Sequence, residues 1–250
     1  MVKNNEQQIK IMSYNIHKGH SIFNKLSIVE MKKQLDVWNP DILFLQEVQG
    51  ENKKWEKKHK DWPLDGLHVF LGKDRWENIA YEANALYGHG HHGNAILSKY
   101  PIKKVNNYNI STSKFEQRGI LHAQIEINKE DPLLHAFCVH LSLNGKGRKW
   151  QLEVIADIIK SLPKDNPVIL AGDFNDWFNY AKTRLNTIED MKEILREKIK
   201  NPRSYPSGYP LLSLDRIYTR GFDIKDAIIG NKPFGNTSDH SPVLAIIEKK

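Results

Sequence analysis

The feature that most constrains this chain is a recurring pattern in which a short apolar run ends in polar side chains. Its clearest instance is residues 167–177, where the apolar run 168–171 is followed within five positions by Asp173, Asn175 and Asp176. An uninterrupted apolar run of this kind predicts a strand buried on both faces. Residues two apart in extended chain point the same way, so we expect Asp173 and Asn175 to lie together. The segment predicts either oxygens gathered around a hard cation or a water, or an ordinary Asx-turn at a strand end.

Similar strand ends recur along the chain, which favours the chemical interpretation. A first strand ends near Asn15, and the apolar run 41–48 ends near Glu47. The pattern continues in three further segments: residues 133–140, ending at His140; residues 214–219, holding Asp215; and the polar turn 237–242, with Asp239 and His240. A carboxylate within a strand needs a partner, and we expect His240 to pair with Asp215, because such a carboxylate fixes the tautomer of a histidine and raises its basicity.

The order of the predicted elements favours an α+β fold. Helices are predicted over residues 25–38, 149–162 and 188–200, with a fourth candidate in 51–62, and apolar strands outnumber them. This order lacks the strict strand–helix alternation of a doubly wound sheet or a TIM barrel. We therefore expect two mainly antiparallel sheets packed face to face, with helices outside.

Length and charge set broad limits on the chain. Its 250 residues contain no Gly/Ser-rich linker, so we expect one domain over residues 1–250 with a core over about 9–247. The net charge of +7 and the pI near 9.2 favour an anionic partner such as nucleic acid, a phosphorylated small molecule or an anionic membrane surface. An excess of lysine also keeps proteins soluble, so charge alone does not choose among these partners.

The cysteine content and the absence of long apolar runs indicate where in the cell the protein is expected. Cys138 is the only cysteine and lies in an apolar strand, so we expect an inert core thiol and no intrachain disulfide. Residues 1–8 are polar and lack the apolar region of a signal peptide, and no apolar run is long enough to span a bilayer. We therefore expect a cytoplasmic monomer without a transmembrane segment.

Three segments leave alternatives open. Residues 51–62 carry mixed charge and two tryptophans, which favours a solvated helix with Trp55 packed inward over a dedicated nucleic-acid patch. Residues 88–93 hold three histidines among glycines, which favours a loop beside the strand ends over a transition-metal site. Residues 201–213 are rich in Pro, Tyr and Ser, which predicts a long functional loop.

Seven short motifs, taken together and in order, resemble one known family. They are Ser13-Tyr14-Asn15-Ile16, Leu45-Gln46-Glu47, Gly93-Asn94-Ala95-Ile96-Leu97-Ser98, Val139-His140-Leu141, Gly172-Asp173-Phe174-Asn175, Leu214-Asp215-Arg216-Ile217 and Ser238-Asp239-His240-Ser241-Pro242. The chain resembles the endonuclease/exonuclease/phosphatase superfamily, the group of DNase I, the exonuclease III-type abasic-site nucleases, inositol polyphosphate 5-phosphatases and sphingomyelinases. The resemblance implies a four-layer αββα sandwich with strand ends gathered at one edge.

The resemblance also implies a divalent metal, Mg²⁺ or Mn²⁺. Glu47 would be the principal ligand, with Asn15 beside it and Asp239 completing the metal or water site. Mg²⁺ keeps several waters, so one or two carboxylates suffice to hold it. Nucleases of the exonuclease III type carry an acidic residue two positions after the first asparagine, whereas this chain has His17 there. This departure counts against a second metal ligand and an abasic-site role, and the chain looks more like a bacterial group of metal-dependent hydrolases.

Catalytic roles follow from the same resemblance. Asp173 would position or deprotonate the attacking water, with Asn175 holding the phosphate or the nucleophile. His240, paired with Asp215, would donate to a phosphate oxygen, and His140 would be a second donor near the phosphate or the leaving group. The implied reaction is in-line attack of water on phosphorus.

The substrate is expected to be a phosphate ester. Candidate phosphate-binding side chains are Asn15, Asn175, His140 and Arg118, although Arg118 is equally expected as a surface arginine. Positive charge, with Lys and Trp in residues 53–62, favours a phosphodiesterase acting on nucleic acid. The alternative is a phosphoesterase for a phospholipid head group or a small phosphate ester, with residues 205–212 as an apolar contact. A catalytically inactive binding module is a third possibility, and the intact set of site residues argues against it.

Overall fold

Two stacked sheets flanked by helices make up the computed structural model, which describes residues 7–230 and 234–250. The strands are β1 (Gln8–Asn15), β2 (Ile42–Asn52), β3 (Asn78–Tyr87), β4 (Gly90–Ser98), β5 (Ile102–Asn109), β6 (Gly119–Ile125), β7 (Leu134–His140), β8 (Val168–Asp173), β9 (Lys192–Glu193), β10 (Asp215–Arg220), β11 (Phe222–Ile229) and β12 (Val243–Lys249). The helices are α1 (Ile28–Trp38), α2 (Lys53–Lys58), α3 (Leu67–Gly72), α4 (Gly145–Ser161), α5 (Tyr180–Leu185) and α6 (Ile194–Lys198), with a short 3₁₀ turn at His17–Gly19.

Each sheet is built around one parallel pair of strands. The first sheet has the order β11-β12-β1-β2-β4-β3 and the second has the order β5-β6-β7-β8-β10-β9. Only β1 with β2, and β7 with β8, run parallel among the described pairs; the other pairs are antiparallel. A parallel connection needs a crossover, and α1 and α4 provide it. The expectation of two mainly antiparallel sheets is confirmed.

Three apolar layers hold the sandwich together. Between the sheets lie buried side chains from both, such as Phe44 and Ile169. A second cluster joins the outer face of the first sheet to α1 through Met31 and Leu35, and a third joins the second sheet to α4 through Ile155. Because each sheet is apolar on both faces, helices must cover the outer ones, which confirms the four-layer αββα arrangement.

Local signals explain where the two crossover helices begin and end. Helix α1 ends at Trp38, because Asn39 adopts a left-handed conformation (φ 46°) and Pro40 follows. Helix α4 begins four residues earlier than predicted, at Gly145. The side chain of Asn144 accepts hydrogen bonds from the backbone N–H groups of Lys146 and Gly147, so the expected polar turn is an N-cap.

Two element predictions are wrong. Residues 88–93 are not a loop, because β4 begins at Gly90 and includes His91 and His92. The glycines suit a strand here: a Cβ on Gly90 or Gly93 would lie 2.0 or 1.9 Å from a neighbouring backbone carbonyl oxygen.

The single helix over residues 188–200 is also wrong. Lys192–Glu193 pairs with β10 as a short edge strand, and the helical part is confined to Ile194–Lys198. The segment is therefore divided between the second sheet and a helix of five residues.

Cys138 is buried between the sheets. Its Sγ accepts a hydrogen bond from Gln46 Nε2 at 3.3 Å and donates to the carbonyl oxygen of Leu45 at 3.4 Å. Burial raises the pKa of the thiol to about 12, which fits the inert core thiol expected from the sequence. In the described ranges, no helix is both long and apolar enough to cross a membrane.

Candidate active site

The candidate site lies where the carboxyl ends of the two parallel strand pairs meet. In the first sheet, Asn15 at the end of β1 is level with Gln46 in β2. In the second sheet, His140 at the end of β7 is level with Asp173 at the end of β8, and Asp215 opens β10 on the other side of Asp173. The carboxyl ends of parallel neighbours lie at the same edge of a sheet. The strand topology therefore places these polar residues together at one edge of the sandwich.

Asp173 is the centre of the site. Its Oδ2 accepts a hydrogen bond from Asn15 Nδ2 of the opposite sheet at 3.1 Å, and its Oδ1 accepts one from the backbone N–H of Asn175 at 2.9 Å. The Nε2 atoms of His140 and His240 each lie 3.6 Å from Oδ2. Burial of the carboxylate raises the pKa of Asp173 above its usual range, against the opposing effect of His240.

His240 is held by a buried carboxylate, as the sequence suggested. Its Nδ1 lies 2.8 Å from Asp215 Oδ2, and Ser204 Oγ donates to the same oxygen at 2.5 Å. Burial alone would lower the pKa of His240, but Asp215 and Asp173 outweigh it and raise the pKa to about 10. The ring is therefore a cation that presents Nε2 towards Asp173.

Glu47 supplies an ionised carboxylate on the other side of the site. It adopts a left-handed backbone conformation (φ 53°) in an irregular part of β2. Lys18 Nζ lies 3.4 Å from Oε2, and Asn15 Nδ2 lies 3.5 Å from Oε1. Burial acts to raise the pKa of Glu47, but the combined effect of nearby groups, led by His140 and Lys18, lowers it to about 2.

The chemistry around Glu47 fits a hard divalent cation that keeps most of its waters. The carboxylate is ionised and already balances the positive charge of Lys18. No three acidic, histidine or cysteine side chains in the described part of the chain converge as a ready-made ligand cluster, so any Mg²⁺ here would rely on few protein ligands. Asn15 is oriented as a donor to the carboxylates, and its Oδ1 accepts from the N–H of His17 at 3.1 Å. Asp239 Oδ1 faces His17 Nδ1 at 3.9 Å.

A narrow cleft beside Glu47 is lined by His92, Arg118 and His140. Arg118 Nε is buried without a hydrogen-bond partner among the described residues, which leaves a donor for an anion. Burial, reinforced by the charge of Arg118, holds the pKa of His140 well below its usual range. Burial also lowers the pKa of His92 to about 4, so both rings are neutral. His92, which the sequence predicts in a loop, is not among the site residues predicted from the sequence, although its histidine-rich motif was the available signal.

Asn175 reaches the site by a turn rather than by extended chain. Its φ of 47° is left-handed, and the Asp173 side chain closes an Asx-turn over it. The expectation that the two side chains point together along a strand is therefore wrong. Asn175 Nδ2 donates to the carbonyl oxygen of Leu141 at 3.0 Å, which fixes the turn against the end of β7. The Asx-turn that the sequence allowed is present, and the side chain of Asp173 still reaches Asn15 of the opposite sheet.

Asp176 belongs to a different cluster. Its Oδ2 lies 3.4 Å from Arg216 Nη2 and accepts from the N–H of Ala181 at 2.8 Å. Arg148 Nε lies 3.8 Å from its Oδ1. These groups are buried, so Asp176 balances internal arginine charge and does not face the site.

The long loop predicted over residues 201–213 forms one wall of the site. Ser204 bonds Asp215, and the ring of Tyr205 lies 4.8 Å from that of His240. The backbone N–H of Ser207 donates to the carbonyl oxygen of Asp239 at 2.8 Å. Lys18 and Ser204 were not identified from the sequence as site residues, because neither lies at a strand end. Tyr205 was predicted only as part of the apolar contact of residues 205–212.

Comparisons with known proteins agree with this fold. The family model described as Endonuclease/Exonuclease/phosphatase family matches residues 12–240. The uncharacterized protein YbhP of Escherichia coli K12 is 36% identical over 241 residues, which cover 95% of each chain.

Two solved structures illustrate the shared fold. An endonuclease/exonuclease/phosphatase from Bacteroides vulgatus has a TM-score of 0.75 at 16% identity, covering 98% of this chain and 100% of that one. TDP2 from Caenorhabditis elegans has a TM-score of 0.69 at 16% identity, covering 97% of this chain and 74% of that one.

Proposed function

The chain belongs to the endonuclease/exonuclease/phosphatase family, and from this premise we propose that it is a divalent-metal-dependent phosphodiesterase. The observation that carries the proposal is the convergence on Asp173 Oδ2 of Asn15 Nδ2 at 3.1 Å and of the Nε2 atoms of His140 and His240 at 3.6 Å each. The imidazole nitrogens lie just beyond hydrogen-bond distance of the carboxylate, so they remain available to a phosphate oxygen.

Asp173 is the proposed acceptor of the proton from the attacking water. Its raised pKa makes it a stronger base than a solvated aspartate. Asn15 and the backbone N–H of Asn175 fix the carboxylate from two directions, which positions it for in-line attack.

The substrate phosphate is held by complementary donors in this proposal. His240 is cationic and donates from Nε2, while neutral His140 donates to a second phosphate oxygen or to the leaving group. Arg118 Nε offers a third donor from the adjoining cleft. Together these groups would stabilise the negative charge that the phosphate oxygens carry in the transition state.

Glu47 is the residue that would hold Mg²⁺ or Mn²⁺, and Asp239 would bind its waters. A divalent ion bound there would neutralise charge on a non-bridging phosphate oxygen. Asn15 is assigned to positioning Asp173 rather than to the metal, because its carbonyl oxygen is engaged by the N–H of His17.

The decisive test is hydrolysis of bis-p-nitrophenyl phosphate with added Mg²⁺ or Mn²⁺. We expect turnover that EDTA abolishes, and a loss of about a hundredfold or more in Asp173→Asn and His240→Ala with unchanged circular dichroism. Asp157→Asn, on the exposed side of α4, is the matched acidic control and should retain the rate. Full turnover in EDTA, or near-normal rates in both folded site variants, would contradict the proposal.

Nucleic acid is the proposed substrate, since the chain carries a net charge of +7. A phospholipid head group is the second candidate, because large apolar side chains are exposed in loops at the same edge of the sandwich: Trp177, Phe178, Tyr209 and Leu211. Plasmid DNA and oligonucleotides should be cleaved, whereas vesicles containing sphingomyelin or phosphoinositides should not. The reverse result would select the lipid candidate.

A further inference from the structure

A second cleft, of about 350 Å³, opens next to the candidate active site. Its walls include three aromatic rings, those of Trp55, Tyr87 and His89, together with Lys18 and His92. A volume of this size lies within the range of small-molecule sites in proteins. Nothing in the proposed hydrolysis uses the aromatic walls, so they require a separate explanation.

The Trp55 wall is held in place by its neighbours. The centroid of its ring lies 4.5 Å from that of His20, 5.1 Å from that of His59 and 6.1 Å from that of Trp62. Lys58 Nζ lies 4.8 Å from the same ring centroid. The indole is half-buried and held by these contacts, so it has little entropy left to lose when a ligand binds in the cleft that it lines.

The Tyr87 wall is equally constrained. Its ring centroid lies 4.7 Å from that of His89 and 5.7 Å from that of His92. Its hydroxyl donates to Gln49 Oε1 at 2.9 Å. The polar groups that line this cleft are thereby largely occupied within the protein: Gln49 Nε2 donates to the carbonyl oxygen of His91 at 2.6 Å, and Asn52 Oδ1 caps α2. The cleft offers flat ring surfaces more than free hydrogen-bonding groups.

The cleft is continuous with the catalytic site through two residues. Lys18 lines the cleft and lies 3.4 Å from Glu47 Oε2. His92 lines both this cleft and the narrow one that contains Glu47 and His140. A substituent on a phosphate bound near Glu47 therefore has a direct path to the aromatic walls.

We propose that this cleft binds the nucleobase of the nucleotide whose phosphate occupies the active site, an assignment that rests on the proposed phosphodiesterase function. A nucleobase is a flat ring that stacks on tryptophan, tyrosine and histidine, and such stacking tolerates all four bases. The hydroxyl of Tyr87 and the amide of Gln49 are already engaged by protein groups, which counts against a sugar or polyol head group that would need such partners. Lys18 supplies positive charge between the base and the phosphate.

The test compares binding of AMP with binding of ribose 5-phosphate, which has the same phosphate and sugar but lacks the base. Binding of each to the full chain is measured by calorimetry in the presence of Mg²⁺. We expect AMP to bind about tenfold more tightly, and TMP to bind like AMP, because stacking is base-tolerant. Equal affinities for AMP and ribose 5-phosphate would overturn the proposal.

Variants locate the preference within the molecule. Trp55→Ala and His89→Ala should each reduce the ratio of the two affinities, whereas Trp150→Ala, which removes a half-exposed tryptophan on α4, should preserve it. His89 is exposed, so its truncation tests the cleft even if the Trp55 variant fails to fold. An unchanged ratio in folded His89→Ala and Trp55→Ala would also overturn the proposal.

Two further measurements distinguish a failure of this inference from a failure of the proposed function. Hydrolysis of bis-p-nitrophenyl phosphate is measured on the same preparation. If the protein hydrolyses this ester but does not prefer AMP over ribose 5-phosphate, only the cleft assignment is contradicted. If it prefers AMP but does not hydrolyse the ester, the cleft assignment is supported and the phosphodiesterase proposal is contradicted. Titration with a thymidine oligonucleotide tests whether the ligand is a nucleic-acid strand or a free nucleotide. If it is a strand, the oligonucleotide should bind more tightly than TMP.

Discussion

In the proposed mechanism Asp215 acts through His240 and does not itself contact the phosphate. Its Oδ2 lies 2.8 Å from His240 Nδ1 and raises the pKa of that ring. A buried histidine without this carboxylate would lose its proton at a lower pH, since burial alone disfavours the charged form. The positive charge of His240 thus depends on a carboxylate from the preceding sequence motif.

Asp215→Asn should lower the rate of phosphodiester hydrolysis by about a hundredfold or more and shift the alkaline limit of activity to lower pH. The shift follows because the amide no longer stabilises the protonated ring. The measurement is the pH–rate profile with bis-p-nitrophenyl phosphate, with Ser204→Ala as a milder change at the same carboxylate. An alkaline limit that stays where it is in wild type would show that Asp215 does not hold the charge of His240.

Asp173 and Asp176 are three residues apart but have opposite roles in this account. Replacing Asp176 with Asn should destabilise the fold by about 3 kcal/mol, because buried Arg216 loses one of its two carboxylate partners and keeps only Glu193. Asp173→Asn should abolish turnover without this loss. Urea unfolding followed by tryptophan fluorescence compares the two variants, and equal midpoints for Asp176→Asn and wild type would refute the structural assignment.

At the scale of elements, the sequence pattern identified the inner strands that carry the candidate site residues and missed the edge strands. The strands β3, β11, β5 and β9 end the two sheets, and none was predicted from the sequence. Edge strands are buried on fewer sides, so polar side chains replace the apolar run that reveals an inner strand. Chain segments such as Ile102–Asn109, with its lysines and asparagines, show this directly.

The end of β8 depends on a glycine, because a side chain there would meet the backbone of the neighbouring strand. Gly172 has a φ of 151°, and a Cβ there would lie 1.9 Å from the carbonyl oxygen of Val139 in the parallel neighbour. Gly172→Ala should therefore destabilise the fold by about 2 kcal/mol or more and displace Asp173. Gly88→Ala is the matched control, because a Cβ at Gly88 meets nothing within 4 Å. Similar thermal midpoints for the two variants would contradict this account.

At the scale of the whole molecule, the site is a contact between distant parts of the chain. The hydrogen bond from Asn15 to Asp173 joins residues 158 positions apart and links the two sheets. Strand-end chemistry and family resemblance placed these residues in one candidate site. The contributions of Lys18, His92 and Tyr205 became visible only in the folded structure, since their positions follow from loop paths and sheet stacking that periodicity does not encode.

Stability should fall as the solution is acidified from about pH 7 to about pH 4.5. Burial lowers the pKa of six histidines in the folded state: His20, His68, His92, His122, His135 and His140. The unfolded chain takes up these protons near pH 6.5 and the folded chain does not, so acid favours unfolding. Asp173, whose pKa is raised to about 6, offsets part of the loss because it retains its proton when folded.

Urea midpoints across this pH range test the trend. His122→Gln should make the dependence shallower, because the pKa of His122 is lowered to about 4 in the folded state. A midpoint that is constant or rises on acidification would contradict the burial of neutral histidines.

The most direct test of the central claim is anomalous diffraction from crystals soaked with Mn²⁺ and inorganic phosphate. The claim is that Glu47 of one sheet and Asp173, His140 and His240 on the other side form a single phosphoesterase centre. The account predicts a manganese peak on the Glu47 carboxylate, with phosphate oxygens within hydrogen-bond distance of both histidines. Manganese bound away from Glu47, or phosphate held elsewhere while His140 and His240 contact only protein, would contradict it.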